Sequence, residues 1–344
     1  MHQLKFDILL QNQQLLAEKI VEAQYARQPQ IWKPYEHLGR KKSVRDVGYH
    51  LLYLKEALEA NDPNLFTEYL VWVKSLFENL GFPANTLTET LVCTRQVLSE
   101  ALPAEYQQPA LEMLDHGANY LGSAQVSPAA FIEPDNRLAR QFLDFLLQGN
   151  RQAASQLILD EVRAGTPVKE IYLKAFQPSQ REVGRLWQIN QINVAQEHFC
   201  TAATQTIMAQ LYPYLFNGQR KKYRLVMTCV GGELHEIGAR MVADFFEMEG
   251  WDTYYLGANT PTHDILQTVK QYNAELLGIS VTMTFHLPQA REIIAKIRAE
   301  SPETRILVGG YPFNVSPHLW QQMNADGSAA DAEEAIKIAD RLCA

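Results

Sequence analysis

Thiols are scarce in this chain. Its 344 residues hold four cysteines, Cys93, Cys200, Cys229 and Cys343, and no two of them form a C-x-x-C pair. Scattered single thiols argue against a disulfide framework and against a thiolate metal site. Long apolar runs are absent too: nothing approaches the roughly 20 residues of a membrane span. The opening MHQLKFDILLQNQQ is broken by Asp7 and Gln11, so it lacks the apolar core of a signal peptide. Concentrated positive charge is the third shortage. The formal net charge is −8, and the only dense basic cluster is Gln219-Arg220-Lys221-Lys222, with Arg40-Lys41-Lys42 a weaker second. An acidic chain without a basic face is a poor partner for nucleic acid. The expectation is a soluble cytoplasmic protein that binds neither nucleic acid nor membrane.

What is present is apolar material in ordered periods. An apolar content of 47% over this length can bury at least two cores, so two or three domains are expected. Residues 1–125 read as an all-helical domain. Ser43 with Asp46 predicts a helix start by a capping box, after which Val47, Leu51, Leu54 and Leu58 recur at helical spacing. Asp62-Pro63 predicts the next start, of a helix burying Leu65, Tyr69, Trp72, Val73, Leu76 and Phe77. Two further helical stretches follow, about 85–101 and about 104–120. Small and polar residues over 121–128 read as a linker.

Residues 126–218 carry four more helical stretches, about 134–148, 150–164, 167–188 and 193–216, separated by short polar turns. That arrangement predicts an up-down four-helix bundle. From residue 219 the period changes. Arg224–Cys229, Asp252–Leu256, Leu276–Val281 and Ile306–Val308 read as strands. Helices are predicted between and after them at about 234–249, 261–272, 287–299 and 331–342. Alternation of this kind predicts a doubly wound parallel sheet, flavodoxin-like, which binds ligands at the carboxyl ends of its strands. The fold class expected is therefore α/β plus all-α.

Directly after the first strand stands Glu233-Leu234-His235-Glu236-Ile237-Gly238. A histidine at the ligand end of a strand can hold a metal through one ring nitrogen. The other nitrogen can donate to a carboxylate two residues earlier, which fixes the tautomer and raises ligand basicity. Gly238 lets the following helix come close to something bulky. A loop histidine beside a glutamate is more often a surface pair, and the wider spacing is what distinguishes this one. After Gly238 come 41 residues, then Ser280-Val281-Thr282, then 26 residues, then Gly309-Gly310.

These intervals closely resemble the signature of the cobalamin-binding domain of methionine synthase, the carbon-skeleton mutases and the corrinoid methyl carriers, D-x-H-x-x-G, S-x-L and G-G. The match covers about 222–344 and departs at two places, Glu233 for Asp and Thr282 for Leu. The resemblance implies that the lower base of cobalamin leaves the cobalt and enters a slot in the sheet. His235 would take its place as axial ligand, with Glu233 behind it. Glu236 and Ile237, within the motif, would belong to the same cofactor site. Ser280, Thr282 and Thr284 would line the slot, and Gly309 and Gly310 would leave room for the nucleotide.

A second constellation lies on the bundle. Trp187 is followed, after nine residues, by Glu197-His198. A core tryptophan and a solvent-facing pair is the plain reading. Placed ahead of a cobalamin domain, W-x9-E-H resembles the light-dependent, cobalamin-binding transcriptional repressors over about 134–344. The resemblance implies adenosylcobalamin as cofactor, with Trp187, Glu197 and His198 covering the adenosyl group. In those repressors a histidine follows the tryptophan; here it is Gln188, a poorer cobalt ligand. Residues 1–125 also lack a helix-turn-helix with a basic recognition helix.

In the first domain His50 stands beside the apolar stripe, flanked by Tyr49 and Tyr53. A core histidine is the plain reading. A helical unit fused to a light-type cobalamin domain is also similar to the photocobilins, which implies biliverdin or another tetrapyrrole there. The leading expectation is thus a photoreceptor rather than an enzyme. No catalytic residue is singled out, and the output is a change of homo-oligomer or of a downstream protein partner. The alternative is a corrinoid methyl carrier serving partner methyltransferases. A mutase subunit is a third reading, weakened by the lack of a substrate barrel.

Overall fold

The computed structural model describes residues 6–32, 38–124, 128–216 and 220–344. The opening residues 1–5, the linker residues 125–127 and Gln219 of the basic cluster lie outside the described residues. The chain divides into two compact units, with the boundary between Ser127 and Pro128.

The first unit is all helical: α1 (Asp7–Gln11), α2 (Gln13–Arg27), α3 (Pro29–Trp32), α4 (Leu38–Ala60), α5 (Asn64–Asn79), α6 (Thr86–Ala101) and α7 (Ala104–Ser123). Helix α2 packs on α4 and α6, and α5 on α4 and α7. Ile20, Leu51, Leu54, Leu70, Leu98 and Leu114 form the interior. Helices α5 and α7 cross at Gly117, where a Cβ would lie 2.7 Å from Leu70 Cδ1. Two sequence expectations are corrected. Ser43 does not start a helix: α4 is already running at Leu38, and the Ser43 hydroxyl lies 3.4 Å from that of Tyr25. Trp72 is not in the core but 36% exposed, stacked at the edge of Tyr69. His50 is buried with Nδ1 2.7 Å from the Tyr69 hydroxyl, and burial pushes its pKa down to about 4.

The second unit joins a helical bundle to a sheet. The bundle comprises α8 (Arg137–Leu147), α9 (Arg151–Arg163), the continuous run α10 (Val168–Ile171), a π-helical turn (Tyr172–Phe176) and α11 (Gln177–Gln188), then α12 (Val194–Gln210). Asn136, Asn150 and Asn193 cap α8, α9 and α12 with their side chains. The sheet has five parallel strands, β1 (Arg224–Cys229), β2 (Asp252–Tyr255), β3 (Leu276–Ser280), β4 (Arg305–Gly309) and β5 (Gly327–Ala329), in the order β2-β1-β3-β4-β5. This is the flavodoxin-like order, whose switch point lies between β1 and β3. Helices α13 (Ile237–Met248), α14 (Thr262–Tyr272), α15 (Leu287–Glu300), the short α16 (Tyr311–Val315) and α17 (Leu319–Gln322), and α18 (Ala332–Cys343) complete it.

Bundle and sheet share one core. Phe142, Phe176 and Ile207 of the bundle belong to the same buried cluster as Leu225, Phe245 and Trp251 of the sheet layers. Polar ties cross the join: the Tyr172 hydroxyl donates to Asp244 Oδ2 at 2.6 Å, and Gln205 Nε2 donates to Glu236 Oε1 at 2.8 Å. Among the described residues no helix is long and apolar enough to cross a membrane.

Candidate functional site

The loops after β1 and β3 diverge at the switch point, and one side chain spans them. Glu233 is 0% exposed. Its Oε1 accepts from the His235 backbone N–H at 3.1 Å and lies 2.6 Å from His235 Nδ1. Its Oε2 accepts from the backbone N–H groups of Thr282 and Met283, both at 2.9 Å, and lies 3.1 Å from His286 Nδ1. Burial alone would raise the carboxyl pKa. The hydrogen bonds of His235, His286 and Met283 overcome it and hold Glu233 ionised, far below the usual carboxylate range. In turn the hydrogen bond to Glu233 raises the pKa of His235, against burial, and the charge of Glu197 on the bundle adds to it.

The β1 loop is built to present His235. Gly232 takes φ +83°, its N–H donates to Asn259 Oδ1 at 2.7 Å, and Asn259 N–H returns to the Glu233 carbonyl at 3.0 Å. Helix α13 starts at Ile237, not near 234 as the periodicity predicts: the Leu234 carbonyl closes a tight turn by accepting from the Glu236 N–H at 3.0 Å. The His235 side chain stays 59% exposed. Beneath it the Cys229 thiol donates to the His235 carbonyl at 3.7 Å, and burial pushes that thiol up to about 12, so it stays protonated. Glu236 turns away from the loop's mouth. Its carboxylate accepts from Gln205, from Ala258 N–H at 3.0 Å and from the Tyr255 hydroxyl at 3.3 Å, and so ties the bundle to the β2 loop.

A cavity of about 850 Å³ opens beside His235, between the sheet face and helices α13 and α18. His235, Ile237, Gly238, Ser280, Thr282, Gly309 and Gly310 all line it. Gly238 has nothing within 4 Å of where a Cβ would stand, so its smallness leaves room rather than relieving a contact. Gly310 has a different reason. At φ +105° its Cβ would lie 1.9 Å from the Val281 carbonyl oxygen, so the close approach of backbone by itself demands glycine there. Thr284 is placed differently: the chain turns into a short helical run at Thr284–His286, which leaves Thr284 buried at 1% exposure and away from the residues that line the cavity.

On the bundle, Asn193 and Gln196 form a reciprocal capping box, each side chain bonded to the other's backbone N–H at 3.0 Å. This places Glu197 in the first turn of α12, where an acid is favoured, with His198 directly after it. Glu197 Oε2 lies 2.5 Å from His198 Nδ1, and the Thr201 hydroxyl donates to Glu197 Oε1 at 3.2 Å. Trp187 is partly buried against the bundle core, whereas the His198 side chain is 74% exposed. All three stand outside the cavity lining. Sequence reasoning missed His286 and Gln205. Pro288 at the start of α15 marks the turn that holds His286; Gln205 carries no signal of its own.

Among the described residues no group of three or more His, Cys, Asp or Glu gathers as for a bare ion.

Known proteins agree with this architecture. Residues 223–338 match the B12 binding domain family, residues 138–212 match a second family of the same description, and residues 5–121 match the phycobilisome protein family. The chain is 27% identical over 188 residues to dimethylamine corrinoid protein 3 of Methanosarcina acetivorans, covering 54% of this chain and 87% of that protein. It is 31% identical over 121 residues to dimethylamine corrinoid protein 2 of Methanosarcina mazei, covering 34% and 55%. In fold it is similar to the monomethylamine corrinoid protein of Methanosarcina barkeri, with TM-score 0.54, 22% identity, and coverage of 60% of this chain and 99% of that one. The chain thus carries a B12-binding domain with its helical cap, and ahead of them a phycobilisome-type domain.

Proposed function

We propose that the chain binds cobalamin with the lower base withdrawn from cobalt and His235 in the vacated axial position, and that it uses the bound group to sense light. The observation that carries the binding is the Glu233 clamp. A wholly buried carboxylate grips the Nδ1 edge of an exposed histidine, leaving Nε2 as the ligand atom, beside a slot between sheet and helices. The bound group would supply a cobalt–carbon bond that light or a nucleophile can break. The chain supplies the hold. His235 is braced by Glu233, and Glu233 by His286. Ser280, Thr282, Gly309 and Gly310 face the lower tail; Ile237 and Gly238 give it room.

Trp187, Glu197 and His198 are assigned to the adenosyl group of adenosylcobalamin. In support, the negative charge of Glu197 helps to raise the pKa of His235. The phycobilisome match over residues 5–121 supports a second tetrapyrrole, such as biliverdin, in the first unit. Loss of the adenosyl group would remove contacts between cap and sheet and bias a two-state arrangement, read out by a homo-oligomer or a downstream cytoplasmic partner.

The named relatives favour a second reading, a corrinoid methyl carrier serving partner methyltransferases, and they favour it more than a photoreceptor. Their similarity spans 87% of a dimethylamine corrinoid protein. A carrier also needs an open upper face, and the exposed His198 ring is compatible with one. Affinities for adenosylcobalamin and methylcobalamin in darkness, with mass and shape in solution before and after green light, separate the two. Light breaks the cobalt–carbon bond in either case; a sensor prefers the adenosyl form and changes mass or shape on illumination, and a carrier does neither.

A further inference from the structure

Helices α4 and α5 of the first unit pack together, and each gives two rings to one cluster. His50 and Tyr53 stand three residues apart on α4, and Tyr69 and Trp72 three apart on α5, the interval that sets side chains on one helical face. The Tyr53 and Tyr69 rings lie nearly parallel, with centroids 3.6 Å apart and an interplanar angle of 8°. Trp72 continues the series, its centroid 6.5 Å from that of Tyr69 and its plane inclined by 18°. Both tyrosines are buried and Trp72 is 36% exposed, so the stack runs from the core to the surface. At the buried end the Tyr69 hydroxyl meets His50 Nδ1 at 2.7 Å. A buried phenol needs a hydrogen-bond partner, and a backbone carbonyl would serve as well; an imidazole is in addition a base. Burial keeps His50 neutral, its pKa pushed down to about 4. Burial, with Tyr53, Asp46 and Tyr49 nearby, keeps the phenol protonated.

We propose that Tyr69 is a redox-active tyrosine: an outer-sphere one-electron oxidant in solvent draws an electron through Trp72, and Tyr69 stores the oxidising equivalent as a neutral radical while His50 holds its proton. The proposal is independent of the cobalamin reading. The oxidant gains one electron from the Trp72 indole, and an electron from the Tyr69 ring refills the indole. A phenol that has lost an electron is a strong acid. With the imidazole proton on Nε2, the phenolic proton passes along the hydrogen bond to Nδ1, leaving a neutral tyrosyl radical and an imidazolium, the far weaker acid of the two. The negative field of Asp46, already felt at Tyr69, favours that cation. The parallel Tyr53 ring shares the electron deficiency as it develops.

The probe is tris(bipyridine)ruthenium(III), made by a laser flash with persulfate as electron acceptor, in a solution of the full chain free of cofactor. Transient absorbance and electron paramagnetic resonance read the radicals. An indole radical is expected first, with a tyrosyl radical growing as it decays. Tyr69→Phe should keep the indole radical and lose the tyrosyl; Trp72→Leu should lose most of both. His50→Gln keeps a partner for the hydroxyl but no comparable base. It should slow the step from indole to tyrosyl by about a hundredfold, the low end of what a positioned base contributes to a proton transfer, while the indole radical forms at its wild-type rate. In wild type the same step should slow in heavy water. A wild type without a tyrosyl radical, or a tyrosyl radical that survives Tyr69→Phe, overturns the proposal. An unchanged tyrosyl yield in Trp72→Leu overturns the route through the indole. An unchanged rate in His50→Gln overturns the role of His50; should that variant not fold, equal wild-type rates in light and heavy water do so.

Discussion

Glu233 Oε2 and His286 Nδ1 meet 3.1 Å apart, with the Glu233 side chain 0% and the His286 side chain 11% exposed. The same carboxylate holds His235 with its other oxygen, so two imidazoles share one buried anion across the switch point of the sheet. The consequences for the three residues differ. His235→Ala removes the ligand atom and should leave bound cobalamin base-on, or abolish tight binding. Glu233→Gln keeps the shape but loses the charge that orients His235, which should weaken binding about 10–100-fold. His286→Phe should cost less than Glu233→Gln, because Oε2 keeps the N–H groups of Thr282 and Met283. Titration by absorbance checks the order; equal losses at all three positions contradict it.

The cap should set the choice of upper ligand. Trp187→Ala and His198→Ala are each expected to reduce the preference for adenosylcobalamin over methylcobalamin in darkness, with little effect on methylcobalamin itself. A wild-type chain with equal affinity for the two forms supports the carrier reading.

Gln188 follows Trp187 where a histidine stands in the repressors that the cap resembles. Gln188→His is expected to yield a light product with imidazole on both faces of the cobalt, with a spectrum distinct from that of illuminated wild type. Size-exclusion chromatography with light scattering, dark against lit, tests the output. Unchanged mass, shape and spectrum after illumination of the adenosylcobalamin-loaded wild type contradicts the sensor.

The first unit should lose stability in mild acid. His50 is neutral in the fold, its pKa pushed down to about 4 by burial. Unfolded, it titrates near 6.5, so between about pH 6.5 and about 4 only the unfolded chain takes up the proton. Its contribution is whole above about pH 6.5 and declines as pH falls, by at most about 3 kcal/mol. Hydrogen-exchange protection of α4, corrected for intrinsic rates, should fall over that window in wild type and less in His50→Gln, which keeps a partner for Tyr69. Identical pH profiles remove His50 as the cause.

Much of this was legible in one dimension because it is local. The continuous apolar run of β1 and the helical stripes report burial on one or two faces, and the interval from Gly238 to Ser280 to Gly309 reports which strand ends converge. What was not legible depends on tertiary choices. Strand β5 has three residues, too few to show a period. Residues 234–236 are helix by pattern, yet the Leu234 carbonyl closes a tight turn on the Glu236 N–H and α13 begins at Ile237. Thr284 and His286 lie two apart in sequence, but the turn they share sends one into the core and the other to Glu233. Gly310 reads as a space beside the cavity, and only the fold shows that the Val281 carbonyl also requires it.

The central claim is that His235 takes the lower axial place on cobalt. Electron paramagnetic resonance of the cob(II)alamin-loaded protein, grown with 15N-histidine and supplied with unlabelled cofactor, reads the nucleus of that ligand. Coordination by His235 predicts a two-line superhyperfine pattern from 15N in place of the three lines of 14N, and its loss in His235→Ala. Three lines persisting in the 15N-histidine sample would mean that the cofactor's own base, not His235, still holds the cobalt.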